Sequence, residues 1–123
     1  MLSRIFIQNF ALIDSLEITL NKGLQVITGE TGAGKSIILG ALRLILGERA
    51  DTKSLQNSEA KSIVEAEFLI NENFRTFFDE NDLDFENQTV IRRELLPNGK
   101  SRAFINDVPV TLETLKLLSS KLI

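Results

Sequence analysis

The sequence predicts an α/β domain in which short strands surround one deeply buried helix. Three observations carry this. Segments with two-residue alternation flank a nearly continuous apolar block at 35–46, that block has helical length, and a glycine-rich run joins it to a strand-like segment. With 123 residues, 43% apolar and 25% charged, the chain fits one globular domain or part of one. No apolar run approaches the roughly eighteen residues a membrane span needs. The start MLSRIFIQNF has neither a signal-peptide core nor a small-residue cleavage site, so the cytoplasm is expected. Absence of Cys and His removes disulfides, thiol nucleophiles, imidazole bases and the usual zinc ligands. Chemistry is left to carboxylates, Lys, Ser, Thr and backbone groups. Fourteen basic against seventeen acidic residues give a net charge of −3, so nucleic-acid affinity would require a local basic patch.

In chain order, Ser3 to Asn9 is short and rich in Ile and Phe, and Ser15 to Leu20 alternates with Leu16, Ile18 and Leu20 on one face; both are expected to be strands. Asn21-Lys22-Gly23 supplies a turn, and Leu24 to Thr28 is expected as a third strand, hairpin-paired to the second. From Lys35 to Leu46 only Lys35 itself, Ser36, Gly40 and Arg43 fall outside the apolar set, which predicts a helix buried on nearly every side, with Gly47 as its C-cap. Asp51 to Lys61 is polar without period. Val64, Ala66, Phe68 and Ile70 alternate with Glu65, Glu67 and Leu69 as a strand with one mostly polar face. Phe74 to Asn81 predicts a short helix whose Phe74, Phe77 and Phe78 belong to the core rather than to a base-stacking surface. Gln88 to Leu95 and Ser101 to Ile105 flank Pro97-Asn98-Gly99, where Asn98-Gly99 signals a two-residue hairpin turn. Thr111 is placed to cap a last amphipathic helix carrying Leu112, Leu115, Leu118 and Leu122. No repeat, low-complexity tract or flexible linker divides the chain.

Gly29-Glu30-Thr31-Gly32-Ala33-Gly34-Lys35-Ser36 is an unbroken G-x-x-x-x-G-K-S between a strand-like and a helical segment, the pattern and context of a P-loop. Glycines permit backbone conformations and approach distances that a Cβ blocks, so successive N–H groups can surround phosphate oxygens. The helix start adds its dipole and free N–H groups. Lys35 reaches the β- and γ-phosphates, Ser36 ligates Mg²⁺, and the Glu30 side chain is expected to face solvent. Hydrolysis also needs a carboxylate at the end of an apolar strand. Asp14, after Phe10-Ala11-Leu12-Ile13, is expected in a turn, and Asn106-Asp107 before Val108-Pro109 reads as a turn between short strands. The acidic half of the site is therefore expected to lie elsewhere, which suggests a fragment.

The P-loop GETGAGKS, the preceding Asn9-Phe10-Ala11-Leu12-Ile13-Asp14, the following Leu46-Gly47-Glu48-Arg49-Ala50-Asp51 and the late Ser101-Arg102-Ala103-Phe104-Ile105-Asn106 together resemble the N-terminal part of the RecN family of bacterial SMC-like ATPases. The resemblance covers nearly the whole chain. It implies the N-terminal part of one ABC-type ATPase head at 1–123, a mixed and antiparallel sheet around the buried P-loop helix. The C-terminal half of the head and an antiparallel coiled coil would lie outside this chain, with the signature motif and catalytic carboxylates in that half. It further implies ATP and Mg²⁺ as ligands, held by Gly29, Glu30, Thr31, Gly32, Ala33, Gly34, Lys35 and Ser36. A second copy would be the partner in an ATP-sandwiched homodimer, and the role would be DNA double-strand break repair and recombination at the bacterial nucleoid. By the same resemblance the fragment alone is inactive. Related heads carry a basic residue near Leu55-Gln56-Asn57; this chain has Gln56, which leaves Arg49 as the nearer candidate.

Two other functions compete. A stand-alone nucleotide kinase or GTPase would need a second acidic motif, and Asn21-Lys22-Gly23-Leu24 lacks the Asp of N-K-x-D. A non-catalytic interaction module would use the hairpin at about 88–105 and tolerate loss of Lys35. If Asn98-Gly99 is the turn, Arg93 and Arg102 share a face with Arg92 and Lys100 nearby, a candidate DNA contact.

Overall fold

In a computed structural model of the chain, residues 1–10, 13–19, 32–49 and 59–122 are described. They form six strands, β1 Leu2–Phe10, β2 Ile13–Thr19, β3 Ser62–Leu69, β4 Gln88–Leu95, β5 Ser101–Ile105 and β6 Val108–Val110. The helices are α1 Gly32–Ile45, α2 Arg75–Glu80 and α3 Leu112–Leu122. The strands make one sheet in the order β2-β1-β3-β4-β5-β6, antiparallel at every pairing among the described residues. The strand expected at 24–28 and the polar stretch from 51 to 58 lie outside them.

Alternation decides which sheet face is buried. Ile5 and Ile7 of β1, Val64, Ala66 and Phe68 of β3, Ile91 and Leu95 of β4, and Ala103 and Ile105 of β5 all point inward, none more than 5% exposed. Against that face lie Ile38, Ala41, Leu44 and Ile45 of α1, Phe77 and Phe78 of α2, and Leu115 and Leu118 of α3, in one cluster. Each Val, Ile, Leu or Phe among these contributes about 1.5–3 kcal/mol by leaving water, so sheet packing rather than helix propensity stabilises α1. Phe78 is fully buried with Phe77 and Phe85 edge-on at 5.8 and 5.6 Å, the core role expected of the Phe cluster. The short helix at 74–81 begins as a 3-10 turn, Glu72–Phe74, before α2. Thr111 Oγ1 accepts the Thr114 N–H at 3.1 Å and caps α3.

Three expectations are corrected. Leu39 is 57% exposed, so over its described side chains, 38–45, α1 is not buried on nearly every side: the sheet covers one stripe there and leaves Leu39 and Arg43 outside it. Asp14 lies within β2, exposed, rather than in a turn. The β4–β5 loop has three residues, not two. Leu96 N–H donates to Lys100 O at 2.8 Å and Gly99 N–H to Leu96 O at 3.0 Å, with Gly99 at φ +90°. The reason is Pro97. A two-residue Asn-Gly turn makes Pro97 a closing residue whose N–H must bond across the hairpin, and proline has none. The closing bond therefore moves to Leu96 and the register shifts by one, pairing Arg93 with Ala103 and Glu94 with Arg102. Asn106-Asp107 does form the expected turn, both residues at positive φ (50° and 67°) between β5 and β6.

Candidate functional site

α1 begins at Gly32, inside the G-x-x-x-x-G-K-S run, and its first turn contains no acidic residue. A helix start leaves four backbone N–H groups without intrahelical partners and carries the positive end of the dipole, so this end of α1 is suited to an anion. Gly29, Glu30 and Thr31 lie outside the described residues, as do the side chains of Lys35 and Ser36.

The opposite end of α1 is bound closely. Gly47 sits at φ +96°, Gly47 N–H donates to Leu44 O at 3.1 Å, and Glu48 N–H donates to Arg43 O at 3.2 Å. This is a Schellman close, and Gly47 is the C-cap that its sequence position suggests. α3 crosses here so tightly that a Cβ on Gly47 would stand 2.5 Å from Lys116 Cγ. Ser119 Oγ donates to Ile45 O at 2.8 Å. Arg93 Nη1 donates to Leu44 O and to Glu48 O, each at 2.8 Å, and Arg93 Nη2 donates to Ser101 Oγ at 3.3 Å. Ile45 O is thus satisfied from α3, Glu48 O just beyond the cap from β4, and Leu44 O takes a second bond from β4 beside that of the Gly47 N–H.

Arg93 is fully buried, and burial lowers its pKa below the usual arginine value. It cannot share a DNA-facing surface with Arg102, because the one-residue register shift turns the two side chains to opposite faces. Arg92 does face outward, but it is occupied by Glu65 at 3.3 Å, Glu94 at 3.4 Å and Asp107 at 3.3 Å, with its guanidinium 4.6 Å above the Phe104 ring. Lys100 and Arg102 remain exposed, Arg102 3.9 Å from Glu94. On the same outer face Arg4 reaches Glu17, Glu65 and Glu67, so its basic groups are interleaved with acidic ones. Arg49 is exposed beyond the C-cap, while Gln56 lies outside the described residues.

Sequence reasoning missed the role of Arg93. The signal is present in β4, where Arg93 falls in phase with the inward-facing Ile91 and Leu95. An arginine on a core face requires buried acceptors, and the carbonyls at the end of α1 supply them.

A family described as "AAA domain" matches residues 4–121. The chain belongs to the AAA-domain family. Within it, the chain is 42% identical over 125 residues to the DNA repair protein RecN of Vibrio cholerae, covering 100% of this chain and 23% of that protein. RecN of Bacillus subtilis is 36% identical over 119 residues, covering 94% and 21%. The chain therefore spans under a quarter of the length of the curated relatives it matches. Among solved structures, the Smc head domain with coiled coil and joint from Pyrococcus yayanosii superposes at TM-score 0.78 and 22% identity, over 99% of this chain and 25% of that one. The recombination mediator RecF of the RecFOR pathway does so at TM-score 0.72 and 18% identity, over 94% and 29%. The AAA domain thus has the fold of the SMC and RecF heads, and its resemblance to RecN extends over the whole chain.

Proposed function

We propose that this AAA domain is the ATP-binding N-terminal part of a RecN-like ATPase acting in DNA double-strand break repair and recombination. The observation that carries the reading is the start of α1 inside Gly29 to Ser36, with no acidic residue in its first turn. Backbone N–H groups from Gly29, Glu30, Thr31, Gly32, Ala33 and Gly34 receive the phosphates, and Lys35 neutralises the β- and γ-phosphates. The Ser36 hydroxyl is a hard oxygen donor of the kind Mg²⁺ takes, and it would hold the ion beside the phosphates, where its charge would offset theirs.

Turnover belongs to the full-length protein, in which the C-terminal half of the head supplies the acidic groups; the isolated chain binds without hydrolysing. Bound ATP favours a homodimer of two heads and hydrolysis releases it, so nucleotide state biases DNA engagement through a population shift. The identity to RecN proteins supports this over a stand-alone kinase, GTPase or interaction module. For DNA contact by the hairpin, Lys100 and Arg102 are the residues left at the surface.

Lys35→Ala in the full-length protein tests the reading. ATP affinity measured with a fluorescent analogue should fall by at least about tenfold, the size of one charge-assisted phosphate contact of about 1.5–3 kcal/mol, and repair of DNA breaks in cells should fail. Full repair by the variant would leave the interaction module as the better account.

A further inference from the structure

We infer that Arg93 is a positioning residue for the nucleotide site, acting from the far end of the P-loop helix. This rests on the nucleotide-binding reading above. α1 has 14 residues and is a rod about 21 Å long, so its N-terminal N–H groups are placed by whatever fixes its C-terminal end. That end is held from the β4–β5 hairpin by one guanidinium. Arg93 Nη1 bridges Leu44 O and Glu48 O at 2.8 Å each, spanning the last helical turn and the residue beyond the Gly47 cap. Nη2 extends the same group to Ser101 Oγ on β5 at 3.3 Å.

A fully buried cation is costly unless compensated, and among the described residues no carboxylate pairs with Arg93. What compensates it is the negative end of the α1 dipole, concentrated on the carbonyls it binds. This makes the contact position-sensitive. Sliding α1 by one residue, a rise of about 1.5 Å, removes the acceptors from a charge that has no alternative in the core. Binding groups tolerate displacements of only about 0.5 Å, so a clamp of this kind sets the distance from α1 to the phosphates. It also ties that distance to the hairpin, so a force on β4 or β5 reaches the phosphate end of the helix as a rigid-body shift.

The test uses the full-length protein with Arg93→Met, which keeps length and removes charge and donors, and Arg93→Lys, which keeps the charge but not the forked geometry. Two readouts are taken: ATP affinity, and hydrogen exchange at the α1 amides without nucleotide. Arg93→Met should bind ATP about tenfold more weakly and exchange α1 amides at least about tenfold faster, with Arg93→Lys recovering at least half of the affinity loss on a logarithmic scale. Such rescue is not expected if Arg93 merely fills volume, which Met does as well. A folded Arg93→Met that binds ATP like the wild type overturns the inference, as does unchanged α1 exchange. If Arg93→Met does not fold, Arg93→Lys decides, because its ammonium lacks the fork that joins Leu44 O, Glu48 O and Ser101 Oγ. Faster exchange of the α1 amides with ATP binding up to about threefold weaker supports the clamp, and wild-type exchange together with wild-type binding overturns it. Altered exchange in a protein whose wild type binds no ATP would overturn the nucleotide-binding reading and leave the mechanical coupling standing.

Discussion

Replacing Gly47 by alanine separates the two constraints that end α1, its own backbone and the crossing of α3. Gly47 has φ +96°, where an L side chain costs about 1–2 kcal/mol. The new Cβ would also stand 2.5 Å from Lys116 Cγ and 3.4 Å from the Lys116 backbone nitrogen. Because Cγ is close to the root of the lysine, relief requires a turn at χ1 out of its well, at about 0.5–1.5 kcal/mol. Together the two effects destabilise by about 1.5–3.5 kcal/mol, or roughly 5–20 °C in Tm for a domain of this size. Urea unfolding followed by far-UV circular dichroism, compared at constant m, measures the loss. Repeating the substitution in a Lys116→Ala background removes Cγ and with it the contact, so Gly47→Ala should then cost about 1 kcal/mol less. A cost below about 0.5 kcal/mol would refute the backbone argument, and equal costs in the two backgrounds would refute the contact.

Phe78→Ala should destabilise by about 3–5 kcal/mol, while Phe78→Leu costs far less because it retains most of the volume between Phe77 and Phe85; equal losses in urea unfolding would contradict a packing role. The bidentate hydrogen bonds from Arg75 to Glu72, at 2.6 and 3.0 Å, hold the Glu72 carboxyl below the usual glutamate range. Its stabilising effect is therefore complete above the ordinary value and is lost as pH falls through the lowered one; carbon-detected NMR titration should show it return upward in Arg75→Gln. Reversing both Lys100 and Arg102 to glutamate in the full-length protein should weaken DNA binding and flatten its salt dependence, whereas the same affinity and slope as wild type would remove the hairpin from the DNA interface.

Much of the fold is legible in the sequence wherever one local rule operates alone. The bounds of β4 and β5 follow from alternation, the close of α1 from Gly47, the start of α3 from Thr111, and the β5–β6 turn from Asn106-Asp107. The proposed anion site is likewise a reading of the sequence, because G-x-x-x-x-G-K-S is contiguous and its chemistry resides largely in the backbone. Where two local rules compete, the weaker signal misleads. Asn98-Gly99 favours a two-residue turn, but Pro97 has no N–H to close it, and the one-residue difference places Arg102 on the face opposite Arg93, whose own inward direction follows from its phase with Ile91 and Leu95.

By itself, then, the sequence determined the identity and order of most elements and the helix caps, and it supplies the motif on which the nucleotide proposal rests, since each depends on residues only a few positions apart. Tertiary structure alone decided three things: that β1 lies between β2 and β3, that Leu39 is left uncovered, and that Arg93 closes a helix 45 to 49 residues before it. These depend on which surfaces meet. A buried guanidinium takes its meaning from the carbonyls that surround it, and no spacing along the chain specifies those before the sheet and helix have packed.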